Sequence, residues 1–175
     1  EESIYLIGRN RAMWLGINLI TAVLASLVIG LFDATIQSFV ALAVLMPIVA
    51  SMGGNAGTQT LTVTVRQMAL GEIDYQDAKK IIYKEVMISV VNGLLFAAVI
   101  GVVAYLWFNI PLLGVVIAIS MIINLFSAGF FGAVIPIVLQ KKGIDPAIGS
   151  TVILTTVTDV VGFFSFLGLA TLILL

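Results

Sequence analysis

Residues 38–65 read SFVALAVLMPIVASMGGNAGTQTLTVTV, an apolar run without a charged side chain. A membrane-spanning helix needs about 20 apolar residues, and this run exceeds that length. Its middle is unusual, because Pro47 precedes a segment rich in glycine and amide side chains. Proline removes a backbone donor and glycine pairs loosen a helix, which membranes tolerate only inside protein or beside water. The run therefore predicts a spanning helix that packs closely on its neighbours or borders a water-filled path.

The whole chain shares this apolar character. It has 175 residues, of which 61% are hydrophobic and 10% charged, and its mean hydropathy is +1.22. Soluble domains are roughly 45–50% apolar and about 25% charged, so this chain has more apolar surface than a soluble domain could bury. The sequence predicts a single all-α membrane domain over residues 1–175 with five transmembrane helices, at about 12–32, 38–65, 85–108, 112–139 and 147–175.

Short connections are predicted on both sides of the fourth span. Asn109-Ile110-Pro111 gives a tight connection before it. After it, Gly143 is typical of a helix C-cap, and Asp145 followed by Pro146 is typical of the N-cap and first position of the next helix.

All the cationic residues fall on one predicted side of the membrane. With five spans, the chain's 8 lysines and arginines lie before the first span, between the second and third, and between the fourth and fifth. The positive-inside rule makes that side cytoplasmic. We expect a multi-pass plasma-membrane protein with its N-terminus in the cytoplasm and its C-terminus outside.

Composition excludes several functions. Without cysteine or histidine the chain has no disulfide, thiolate nucleophile, imidazole base or zinc site of those ligands. A net charge of −1 gives no field for binding nucleic acid. Glu1-Glu2 is no basic leader region, so no signal peptide is predicted, and we expect a chain cut from a longer protein.

Asp159 stands alone in the middle of the fifth span. It lies about 18 Å along the helix from Ala147, close to the centre of a hydrocarbon core about 30 Å thick. No lysine or arginine is available inside any span to neutralise it. The plain alternative is a protonated carboxyl bonded across helices, but an intramembrane carboxylate is by default a candidate ion or proton site. Polar or small residues follow its helix face, namely Thr151, Thr155, Thr158 and Gly162.

Hard oxygen ligands also occur in the second span. Its carbonyls, Asn55 and Gln59 suit hydrated Mg²⁺ or Ca²⁺. Gly53-x-x-x-Gly57 instead suits close helix packing, and a pore helix can do both. Five spans cannot form two equal inverted halves, so a pore on a dimer axis is the natural arrangement. We interpret the remaining polar residues of the spans as interhelical hydrogen-bonding groups, namely Ser89, Asn92, Ser120, Asn124 and Ser127.

The charged segment before the third span allows two interpretations. It can be a solvated loop that runs into an amphipathic helix start. Alternatively, Asp74, Asp77 and Glu85 form a cytoplasmic mouth that attracts cations. A weak cytoplasmic metal site formed by Asp77, Glu85 and Asp145 is a related possibility.

These motifs together resemble the membrane domain of the MgtE magnesium transporters and channels, and more distantly their eukaryotic solute-carrier relatives. The resemblance covers nearly the whole chain and rests on Pro47, Gly53–Gln59, Arg66–Glu85, Asp145-Pro146-Ala147 and Thr158-Asp159-Val160.

The resemblance implies a homodimer in the lipid bilayer whose pore is formed mainly by spans two and five. It implies that the Asp159 pair holds a largely hydrated Mg²⁺. The residues that would line this pore are Gly53, Gly54, Asn55, Gly57, Gln59, Thr151, Thr155 and Thr158. It also implies cytoplasmic N-terminal and CBS domains in the full-length chain that regulate the pore and are absent here.

The predicted function is channel-like Mg²⁺ influx without enzymatic activity. The main alternative is a Na⁺- or H⁺-coupled divalent-cation exchanger that uses Asp159. An intramembrane aspartyl protease needs a carboxylate pair, and one mid-membrane Asp per chain disfavours it. A purely structural membrane anchor leaves Asp159 unexplained.

Overall fold

The computed structural model describes residues 3–71 and 77–175, apart from the side chains of residues 147 and 148. The described chain is all-helical. Its elements are α1 (Ile4–Gly30), α2 (Asp33–Ser38), α3 (Val40–Ala69), α4 (Ala78–Phe108), α5 (Pro111–Lys141) and α6 (Pro146–Leu174). All of these except α2 are long and apolar enough to cross a membrane, which confirms the five predicted spans.

The helices extend beyond the predicted spans at their charged ends. Helix α1 begins at Ile4 rather than near residue 12, and α4 begins at Ala78 rather than at residue 85. Hydropathy marks the part of a helix that lies in the membrane, whereas lysine and arginine are good helix formers and continue the helix into the interface.

A short helix that the sequence analysis missed connects the first two spans. Helix α2 covers Asp33–Ser38, and the Gln37 amide donates to the Asp33 carboxylate at 3.1 Å. Ile36 packs against the main hydrophobic core and Thr35 is buried. The connection therefore packs on the end of the bundle.

The predicted connections around α5 are confirmed. Asn109 ends α4 in the left-handed conformation with φ 55°, and Pro111 is the first residue of α5. Gly143 has φ 76°, and the Ile144 amide donates to the Leu139 carbonyl at 2.9 Å. Glycine is favoured at such a helix end because it carries no Cβ.

Helix α5 forms the centre of the bundle. It packs against α3, α4 and α6, whereas α1 packs against α6. Different faces of α5 contact different neighbouring helices, so many of its side chains are buried. By contrast, Ala25 is the only buried residue of α1 among the residues described. Most of the surface of α1 is therefore left to lipid or to another chain.

The contacts between helices fix their directions. Gly53 of α3 lies beside Asn124 of α5, and Gly57 lies beside Gly132 further along both helices, so α3 runs parallel to α5. Gly57 also lies beside Leu154 of α6, whereas Val49 lies beside Gly162, so α3 runs antiparallel to α6. Trp14 lies near Gly149, at the start of α6, which makes α1 parallel to α6. Every helix end that carries lysine or arginine consequently lies at one end of the bundle, called here the basic end.

Helix α3 is continuous from Val40 to Ala69, through Pro47 and the glycines. The proline and the glycines therefore do not interrupt the helix. Gly53 and Gly57 serve the close helix packing that their spacing allows, as described below.

Candidate functional site

Asp159 lies near the midpoint of α6, on the side that faces α1. The side chain is half-buried and borders a cavity of about 120 Å³. The other residues around the cavity are small or polar, namely Asn18, Thr21, Ala22, Thr155 and Thr156. The carboxylate is thus surrounded by neutral groups, and no cationic side chain lines the cavity.

A larger cleft lies next to this cavity, on the side of the basic end. It has a volume of about 870 Å³ and lies between α1 and the first half of α6. Asn18 and Thr155 line both spaces, so the cleft and the cavity are neighbours. Arg11 and Trp14 line the cleft nearer the basic end.

The sequence analysis missed the contribution of α1 to this site. Asn18 and Thr21 are three residues apart in an apolar helix, and the Thr21 hydroxyl donates to the Asn18 carbonyl at 2.8 Å. A pair of polar residues at helical spacing was the available signal. It could not be assigned to Asp159, because the sequence does not say which helix packs on α6.

The predicted polar stripe on α6 divides into two parts. Thr151 and Thr155 are exposed toward the cleft. Thr158 is fully buried, and its hydroxyl donates to the carbonyls of Leu154 and Thr155 at 3.0 and 3.2 Å. Thr158 is therefore not exposed to the cleft within one chain.

Gly53 and Gly57, the two spaced glycines of the segment Gly53–Gln59 (called here the α3 motif), lie on the buried face of α3. A Cβ on Gly53 would collide with the Asn124 side chain, and one on Gly57 would lie 2.9 Å from a Leu154 methyl carbon. These two positions must therefore be small for α3 to approach α5 and α6. Gly54, by contrast, has open space around its Cα.

The opposite face of α3 is polar and exposed. We call it the α3 polar face; its members are Ser51, Asn55, Thr58 and Thr62. The Asn55 amide donates to the Ser51 hydroxyl at 3.3 Å, and the Thr58 hydroxyl donates to the Gly54 carbonyl at 2.8 Å. Exposed polar groups at the middle of a spanning helix are unfavourable against lipid, so this face needs water or another chain beside it.

Asp159 and the α3 polar face lie at similar depth. Gly57 contacts Leu154, and Gly162 contacts Val49, which aligns the two antiparallel helices. Asn55 and Asp159 consequently lie within about one helical turn of each other along the membrane normal. Within one chain they do not share a cavity, because the space beside Asp159 is lined by α1 and α6.

The prediction of interhelical hydrogen bonding is confirmed for one residue. The Asn124 amide, fully buried on α5, donates to the Val49 carbonyl of α3 at 3.1 Å. Ser120 instead donates to carbonyls of its own helix, at 2.9 and 3.1 Å.

The acidic residues near the basic end are not brought together. Asp77 and Asp145 are exposed just before α4 and α6, whereas Glu85 is buried between α3 and α4. Across residues 3–71 and 77–175, no three acidic side chains are placed to hold a metal ion together. The predicted set of Asp77, Glu85 and Asp145 is therefore not assembled within one chain, and Asp74 lies outside the described residues.

Five apolar helices, one of which carries a carboxylate at membrane depth, define a multi-pass membrane protein with a candidate ion site. The model of the divalent cation transporter family MgtE matches residues 46–169 of this chain. This range includes the α3 motif, α4, α5 and Asp159. The chain belongs to the MgtE family.

Three relatives support this assignment, each named magnesium transporter MgtE. The chain is 32% identical to that of Bacillus subtilis over 171 residues, 31% to that of Thermus thermophilus over 164 residues and 29% to that of Enterococcus faecalis over 164 residues. These alignments cover 98%, 94% and 93% of this chain but 38%, 36% and 36% of the relatives. The chain thus spans a little over a third of the length of these proteins.

Proposed function

We propose that this chain is a permeation domain through which Mg²⁺ enters the cell down its electrochemical gradient. The observation that carries the proposal is Asp159, a carboxylate at membrane depth beside a cavity of about 120 Å³ lined by amide and hydroxyl groups. Oxygen ligands of this kind are those that Mg²⁺ prefers. The three relatives are named as magnesium transporters, which supports Mg²⁺ as the transported ion.

The ion would cross largely hydrated. Mg²⁺ dehydrates reluctantly and usually keeps several of its waters. Asp159 would attract the ion through those waters. Thr155 and Asn18 would form hydrogen bonds with water molecules of the same hydration shell. An inside-negative potential favours entry by about 2.3 kcal/mol per charge per 100 mV, so roughly twice that for a divalent cation.

The pore would form between two copies of the chain. The α3 polar face lies near the depth of Asp159 and has no partner helix in one chain that covers it. A two-fold dimer places the same surface of each chain around one axis. Pairing through α3 and α6 would leave a water-filled space beside the exposed hydroxyls and amides. It would also place the two Asp159 carboxylates along one path.

Further domains of a full-length protein would control this path. The relatives extend well beyond the region matched here, and a regulatory domain joined before α1 would lie at the basic end. By the positive-inside rule that end is cytoplasmic in the plasma membrane. The protein would then act as a transporter without enzymatic chemistry.

The variant Asn55→Ala tests whether the α3 polar face lines the path. We expect Mg²⁺ uptake by liposomes containing the variant to fall several-fold, because the exposed amide no longer supports the hydration shell. Thermal stability should change by less than about 0.5 kcal/mol, as is usual for exposed positions. Val44→Ala is the matched control, since Val44 is exposed on the same helix but is apolar. Equal uptake by both variants would mean that Asn55 does not line the pore.

A further inference from the structure

A second polar cavity lies between α3 and α4, apart from Asp159. It has a volume of about 220 Å³. Its polar lining residues are Gln59, Thr60, Glu85, Ser89 and Asn92. None of these residues lines the cavity of Asp159. Three of them belong to α4, which packs mainly on α5, whereas α1 packs on α6.

Glu85 is the only ionisable group in this lining, and it is 9% exposed. The Thr60 hydroxyl donates to its Oε2 at 3.3 Å. No lysine or arginine lines this cavity. A buried carboxylate that accepts a hydrogen bond from a neutral hydroxyl remains unfavourable unless a cation or further donors complete its surroundings.

The remaining lining groups suit a hard cation. Gln59 and Asn92 can present amide oxygens, and Thr60 and Ser89 present hydroxyl oxygens, which together with the carboxylate form an all-oxygen set. A single water takes up roughly 30 Å³, so the cavity has room for an ion that keeps several waters. Mg²⁺ is commonly bound in this manner, by one or two carboxylates and retained water.

The cavity is also within reach of water at the basic end. Glu85 lies seven residues after the start of α4, which is about 10 Å along the helix axis. The 31 residues of α4 extend about 46 Å, well beyond a hydrocarbon core about 30 Å thick. Glu85 therefore lies close to the interface rather than at the membrane centre.

We propose that Glu85, with Gln59, Thr60, Ser89 and Asn92, forms a second divalent-cation site that is separate from Asp159. The site holds a partly hydrated Mg²⁺ between α3 and α4 near the basic end. It would neutralise Glu85 and join two helices that otherwise share few contacts. The proposal does not depend on Asp159 carrying the transported ion.

The test counts bound Mn²⁺, a paramagnetic substitute for Mg²⁺, by electron paramagnetic resonance on the purified chain. All variants carry Asp159→Asn, so that binding at Asp159 does not contribute. We expect about one Mn²⁺ per chain, displaced by Mg²⁺ but not by an excess of Na⁺. Adding Glu85→Gln should weaken this binding at least about tenfold, a loss seen even for residues one shell removed from a metal. Adding Asp33→Asn, an exposed carboxylate at the opposite end, should leave it unchanged.

Asn92→Ala provides a second variant if Glu85→Gln does not fold, because Asn92 is exposed at the cavity and its loss should still weaken Mn²⁺ binding. Three results would overturn the proposal. These are no bound Mn²⁺ in the Asp159→Asn chain, undiminished binding after loss of the Glu85 charge, and displacement of Mn²⁺ by Na⁺ as readily as by Mg²⁺.

Discussion

Replacing Asp159 with asparagine is expected to lower Mg²⁺ uptake by liposomes at least about tenfold. The substitution keeps the size of the side chain and removes its charge. Two unit charges about 4 Å apart interact by roughly 4 kcal/mol at an effective dielectric constant of 20. That exceeds the 1.4 kcal/mol equal to a tenfold change, even after weakening by intervening water. Uptake reported by an Mg²⁺-sensitive dye inside the liposomes measures the effect.

Asp33→Asn is the matched control for this experiment. It removes the same charge from an exposed carboxylate that begins α2 and does not line the cavity of Asp159. We expect its uptake to equal that of the unmodified chain. If Asp159→Asn also transports Mg²⁺ normally, then Asp159 is a structural residue, and selectivity must come from the α3 polar face.

Replacing Gly132 with alanine is expected to destabilise the contact between α3 and α5. A Cβ at this position would lie 2.9 Å from the Gly57 carbonyl oxygen and 3.0 Å from the Thr60 Cβ. The obstacle is a backbone carbonyl together with the Cβ of a threonine, neither of which can rotate away, so α3 and α5 must move apart to relieve it. Overpacking of this kind typically costs about 1–3 kcal/mol. The melting temperature in detergent, followed by circular dichroism, measures the loss.

Gly54→Ala adds the same methyl group where the structure has open space. Alanine is also the better helix former by about 1 kcal/mol, so this variant should be as stable as the parent or more so. Equal melting temperatures for the two variants would mean that α3 and α5 do not meet as closely as described.

The spans and their caps could be predicted because they depend on local sequence. Runs of apolar residues bounded by charges gave five helices, and Asn109, Gly143 and Pro146 gave their ends. Helix α2 was missed because its six residues carry no long apolar run. The early starts of α1 and α4 were missed because hydropathy reports membrane depth rather than helix formation.

The candidate site was predictable only in part. Asp159 is conspicuous in the sequence because a charge inside a span is rare. Its neighbours on α1 depend on which helices pack together, which is a long-range property. The same limit applies to the α3 motif: its spacing allowed both packing and ion binding, and only the contacts of Gly53 and Gly57 assign them to the buried face.

Burial likewise separated residues that looked equivalent. Thr151, Thr155 and Thr158 follow one another at helical spacing, yet Thr158 is buried while the other two are exposed. From the sequence, Glu85 was grouped with Asp77 and Asp145 in one predicted metal site near the basic end. The structure instead turns it inward between α3 and α4, since it falls on the same face of α4 as the buried Ser89.

The central claim is that Mg²⁺ passes through this chain down its own electrochemical gradient. The most direct test is Mg²⁺ uptake by liposomes that contain the chain, with an inside-negative potential set by K⁺ and valinomycin, no Na⁺, and equal pH on both sides. The account predicts uptake that increases with the imposed potential. No uptake until a Na⁺ or H⁺ gradient is supplied would contradict it and would identify a coupled exchanger.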